Sequence, residues 1–87
     1  MKLSEFHRLS PTERLLAEVL EDMHEHNTFE IHREIDIGSI SSAASRINRK
    51  CCHYKLPYQI HCQRVRQTGP HGVMTVVGIW KLVLTCQ

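Results

Sequence analysis

The residues best placed to do chemistry in this 87-residue chain lie in SISSAASRINRK, residues 39–50. On a helical wheel Ile40, Ala43, Ala44, Ile47 and Cys51 fall in one seam about 100° wide, and Ser42, Ser45, Arg46 and Arg49 gather on the other side. Ser41, Asn48 and Lys50 complete the polar set, which contains no acid. Guanidinium forks and short hydroxyls are donors suited to phosphate oxygens and to planar hydrogen-bonding edges. This segment predicts a helix, over about 40–53, that packs by its seam and presents cationic donors outward.

Two other chemistries have the residue types but not the spacing. Seven histidines and four cysteines offer Cys51, Cys52, His53, His61, Cys62 and His71 as metal ligands. Neither a C-x2-C nor an H-x3-H pair occurs, and adjacent Cys51 and Cys52 point to different sides of a helix. The expectation is therefore no metal and no cofactor, with Cys51 and Cys62 as small buried apolar residues. Catalysis is not expected either: no acid follows Asp36, no glycine-rich phosphate loop follows a strand, and the domain is small for a sizeable cleft.

Charge is segregated along the chain. All nine acids lie within the first 36 residues, where four bases oppose them; from Ser39 onward there are seven bases and no acid. The net charge of +2 hides this division, which points to a polyanionic partner for the second half or, more plainly, to chance in a short chain. A hydrophobic content of 41% allows one modest core. The N-terminus lacks the apolar run of a secretory signal, and the longest greasy stretch, VVGIWKLVL, is interrupted by Lys81. These features predict a soluble cytoplasmic protein with no membrane association, its cysteines reduced.

Residues 1–87 read as one domain, with 1–9 as an N-terminal extension. Ser10, Pro11 and Glu13 are an N-cap, a first-turn proline and a capping-box partner. They start a helix whose Leu15, Leu16, Val19, Leu20 and Met23 form its core face; Ala17, Glu18, Glu21 and Asp22 cover the other side, and Asn27 is its stop. His24 and His26 then sit at its C-terminal dipole. Residues 28–37 alternate as a strand would, yet Asn27 and Glu30 repeat the cap-to-N3 spacing and Gly38 is a natural exit, so a short helix is the reading chosen. After Pro57, YQIHCQRVRQ and VMTVVGIWKLVL flank the turn cluster TGPHG and predict a hairpin. Gly78 is expected to mark a bulge, and Trp80, Leu82 and Leu84 to face the core.

Three helices followed by a two-stranded β-hairpin wing make an α+β winged helix-turn-helix. SSAASRINRKCCHYKLPYQIHCQRV, followed by GIWKLV, resembles the SxxSRINxLRxxGYPI pattern and basic hairpin of small winged helix-turn-helix proteins encoded by bacteriophages and prophages. The likeness spans residues 12 to 84; where the pattern has glycine after the recognition helix, this chain has Lys55 and Leu56. What the resemblance implies is binding of double-stranded DNA without catalysis, in transcription regulation or recombination control inside a host cell. In that arrangement the third helix enters the major groove and the wing follows the phosphate backbone. The expected contacts are Ser41, Ser42, Ser45, Arg46, Asn48, Arg49, Lys50, Lys55, Arg64, Arg66 and His71. Four or five phosphate contacts give a salt slope of about −4, weak enough to call for a homodimer or a partner protein. The alternative is a phage protein-binding module whose basic face inhibits or redirects a host enzyme.

Overall fold

In the computed structural model, which describes residues 2–69 and 71–85, the chain is an α+β fold of three helices and a three-stranded antiparallel sheet. A 3-10 turn, Leu3–Glu5, leads to α1 (Pro11–Leu20), then β1 (His26–Asn27), α2 (Thr28–Glu34), α3 (Ile40–His53), β2 (Tyr58–Thr68) and β3 (Met74–Leu84). The strands lie in the order β1-β3-β2, and the β2–β3 register runs unbroken from Tyr58↔Leu84 to Thr68↔Met74. The expected hairpin is thus present and gains a third strand. β1 is two residues long, too short to leave an alternating pattern in the sequence, and pairs His26 with Trp80 and Asn27 with Ile79.

Local signals explain the helix starts. At α1 the Ser10 hydroxyl accepts the Glu13 N–H at 3.3 Å, closing the predicted capping box with Pro11 at the first position. At α2 the Asn27 side chain accepts the Glu30 N–H at 2.8 Å and donates to the Glu30 carboxylate at 3.0 Å. That cap resolves the strand-or-helix ambiguity in favour of helix over Thr28–Glu34. Asn27 therefore starts α2 and does not stop α1. α1 ends at Leu20 because Met23 turns the chain at φ 63, its N–H bonded to the Leu20 carbonyl. His24 and His26 consequently lie beyond the helix. The His26 ring, with the His24 N–H, hydrogen-bonds the Asp22 carboxylate. The His24 backbone bond, then His26, hold that carboxyl below its ordinary range.

The core joins Leu16, Ala17 and Leu20 of α1, Ile31 of α2, the α3 seam (Ile40, Ala43, Ala44, Ile47, Cys51), Ile60 of β2 and Trp80 and Leu82 of β3. The α3 seam is as predicted. α1 is rotated from its expected setting: Ala17 and Glu13 are buried and Leu15 is exposed, because Glu13 turns inward toward α3. Residues 1–9 are more than an extension, since Leu3, Phe6 and Leu9 are buried in the same core. Cys62 and Leu84 are exposed where burial was expected: Leu84 ends β3, and Cys62, in the middle of β2 and opposite buried Trp80, borders the open groove beside α3. Buried Cys51 has its thiol pushed up by desolvation.

Gly78 is not a bulge but a point of close approach. It pairs with Arg64 in the regular register, and a Cβ there would lie 3.0 Å from Thr28 Oγ1 and 3.1 Å from the Trp80 indole nitrogen. Thr28 Oγ1 donates to the Gly78 carbonyl at 3.2 Å and accepts the indole N–H at 3.1 Å, tying α2 to the sheet. Alanine at an ordinary strand position limits the unfolded chain and stabilises. Here Gly78→Ala is expected to destabilise by about 1 kcal/mol through overpacking, read as a lower urea midpoint.

Candidate nucleic-acid interface

α3 divides the cationic surface in two. On its sheet-facing flank an open groove of about 640 Å³ is lined by Ser41, Ser45 and Asn48 of α3, Cys62 and Arg64 of β2, and Trp80 of β3, among others. Arg64 and Arg66 alternate with Val65 along β2, so both point to the sheet face that also carries Ile60, Cys62 and Trp80. Arg64 lines the groove itself, and Arg66 follows it on the same face toward the hairpin tip. The outer side of α3 presents Ser42, Ser45, Arg46 and Arg49, all exposed.

Among the described residues Arg49, Arg64 and Arg66 form no ion pair and no hydrogen bond. A guanidinium without a carboxylate keeps its full charge and all its donors for an outside acceptor. The acids on the surface lie elsewhere: Glu21 and Asp22 beside Tyr58 and Leu84 at the base of the hairpin, and Glu25 near His61 and Lys81 on its other face. These three acids are therefore not among the residues that line the groove.

Three expected contacts are placed differently. Lys50 turns away from the outer face and donates to Glu13, with Nζ 2.5 Å from Oε1 and 3.1 Å from Oε2, and to the Arg8 carbonyl at 2.7 Å. Burial alone would push the Glu13 carboxyl up, but the hydrogen bonds and charge of Lys50 and the bonds from Ser10 outweigh it and hold the group below its ordinary 4.5. Arg46 is half-exposed, with Nε 3.9 Å from Glu13 Oε2, so this acid draws on one side of its fork. Asn48 is bound to the backbone of Ile60: Nδ2 donates to the carbonyl at 3.0 Å and Oδ1 accepts the N–H at 2.7 Å. It is a clasp between α3 and β2, which leaves Ser41, Ser42, Ser45, Arg46 and Arg49 as the outward residues of that helix.

Lys55 and His71 are exposed, in the turn after α3 and at the hairpin tip. Lys55 has φ 56, the left-handed conformation that glycine adopts without strain. The chain makes the helix-ending turn with a lysine, and the Leu56 N–H closes it on the Cys51 carbonyl at 2.8 Å. Lys55→Gly should therefore be neutral or stabilising by up to about 1 kcal/mol in thermal unfolding, since it removes a positive-φ side chain.

Sequence reasoning missed Glu13 as a buried partner of α3, although its place in the capping box was plain. It also missed Arg8, His53 and Tyr54, which join Arg49 and Lys50 around a cleft of about 390 Å³ at the C-terminal end of α3. Arg8 gave no signal because its segment has no periodicity. Among the described residues no three His, Cys, Asp or Glu side chains are grouped to hold a metal ion, and Cys51, Cys52 and Cys62 are free thiols; Cys86 lies outside those residues. No helix among them is long and apolar enough to cross a membrane. Comparison of the chain with protein families, curated proteins and solved structures finds no match.

Proposed function

We propose that the chain is a winged helix-turn-helix protein that binds double-stranded DNA, with α3 in the major groove and the β2–β3 hairpin along the phosphate backbone. Its role in this reading is transcriptional or recombination control, as in the phage proteins it resembles. Support for the fold assignment comes from the element order, α1, β1, α2, α3 and then a long hairpin, and from the β1-β3-β2 sheet in which the short strand completes the hairpin. Support for the ligand comes from one observation above all: Arg49, Arg64 and Arg66 are exposed and unpaired among the described residues, on α3 and β2, between which opens the groove that Arg64 lines. Phosphates attract such a surface regardless of sequence, while the exposed Ser42, Ser45 and Arg46 would read base edges in this reading.

Mobility shift of a random duplex across a salt series tests this. A slope of about −4 in log affinity against log salt is expected, and Arg49→Ala with Arg64→Ala and Arg66→Ala should flatten it by about 2.7, or 0.9 for each phosphate contact. No shift at 50 mM salt overturns the reading.

A protein-binding role is favoured by a different observation. Val73, Met74 and Val76 on the distal hairpin are 62%, 59% and 63% exposed, an apolar strip beside Arg66. Apolar side chains rimmed by charge are what a protein partner covers. Under that reading Val76→Ser abolishes partner capture and leaves any DNA affinity unchanged.

A further inference from the structure

The cleft at the C-terminal end of α3 lies on the flank away from the hairpin groove, and its walls come from separate parts of the chain: Arg8 from the segment before α1, and Arg49, Lys50, His53 and Tyr54 from α3 and its cap. Its shape is fixed from behind. The Tyr54 ring packs edge-on against buried Phe6, centroids 5.2 Å apart, and against His53 at 4.7 Å. Lys50 holds the Arg8 carbonyl at 2.7 Å while its charge is met by Glu13. The backbone of Arg8 is therefore anchored to α3, while its side chain is exposed with no partner among the described residues. No acid lines the cleft.

Two unpaired guanidiniums, Arg8 and Arg49, thus face one recess with an aromatic wall, and Arg64 and Arg66 stand on the other side of α3. A helix in the major groove of B-DNA has a phosphate strand on each side of it, across a groove about 12 Å wide. We infer that the Arg8–Arg49 cleft binds backbone phosphates of the strand opposite the one the hairpin follows, one at each guanidinium, so that the protein grips both edges of the groove. This inference rests on the DNA-binding reading and adds to it a second contact line, on the N-terminal segment.

Fluorescence anisotropy of a labelled random 20-base-pair duplex between 50 and 300 mM KCl tests it, with full-length wild type, Arg8→Ala, Arg8→Lys and the Arg64→Ala, Arg66→Ala pair. Arg8→Ala should flatten the salt slope by about 0.9, Arg8→Lys should retain it, and Arg8→Ala added to the hairpin pair should flatten it by a further 0.9. The thermal midpoint should not change in Arg8→Ala, since the exposed side chain forms no hydrogen bond or ion pair among the described residues. Wild-type binding with an unchanged slope in Arg8→Ala overturns the second contact line and leaves DNA binding standing. No binding by wild type at 50 mM overturns both.

Discussion

Lys50→Met is expected to destabilise the fold by about 3 kcal/mol at pH 7, seen as a lower urea midpoint at unchanged slope. The carboxylate it abandons is only 1% exposed, whereas the Lys50 side chain is 31% exposed. Removing the lysine leaves a charge inside the protein with the Ser10 hydroxyl at 2.7 Å and a guanidinium at 3.9 Å for company. Removing the acid instead leaves a lysine that can reach water. Glu13→Gln, which keeps the shape and the acceptor for Ser10, should therefore cost less, about 1 to 2 kcal/mol. The inequality between the two variants is the test: equal losses would mean that the pair is solvated and the burial of Glu13 has no energetic weight.

Acid should narrow the difference. The folded state holds the Glu13 carboxyl below its ordinary 4.5, so the group stabilises the protein above that value and the contribution disappears as pH falls through the lower, folded value. In Lys50→Met burial is offset only by the Ser10 bonds and the more distant Arg46, so the carboxyl rises relative to wild type and protonation relieves the variant. Wild type loses stability on acidification while Lys50→Met recovers part of its deficit, and the two denaturation curves approach each other as pH falls below the ordinary carboxyl value of 4.5. Glu13→Gln should show neither trend.

The same pair shows what a sequence discloses and what it withholds. Ser10, Pro11 and Glu13 announce a helix start because the capping box is made within four residues. Glu13 also reaches across 37 positions to Lys50, and nothing local marks that contact. The α3 seam is legible for the corresponding reason: a period of 3.6 over 14 residues is decided by local geometry, and Ile40, Ala43, Ala44, Ile47 and Cys51 are all buried as the wheel requires. The end of α1 is not, since it turns on one residue, Met23, of a type that rarely adopts positive φ. Alternation alone misread Leu84 and Cys62, because facing the right side of a sheet gives burial only where another element lies over it. The unpaired cations of the interface were visible as an acid-free second half. Which of them would remain unpaired depended on Glu13 turning inward.

Asn48 carries the second large effect, and its substitution separates a structural role from the base-reading role its position on the helix had indicated. β2 is an edge strand in the β1-β3-β2 sheet, so its outward backbone groups have no strand neighbour. At Ile60, which is buried, the Asn48 amide supplies what a further strand would, one acceptor for the N–H and one donor for the carbonyl. Asn48→Ala leaves both groups unsatisfied under α3 and should cost about 2 to 3 kcal/mol. Asn48→Asp keeps the acceptor but sets a carboxylate against the Ile60 carbonyl, so its folded form favours the protonated acid, which can again donate. The aspartate variant should accordingly be as unstable as the alanine variant at pH 7 and regain stability as pH falls below the ordinary carboxyl range. DNA affinity, measured at a temperature where each variant is folded, should change less than twofold. A tenfold loss of affinity with an unchanged midpoint would instead assign Asn48 to the ligand and would remove the clasp that positions α3 against the hairpin.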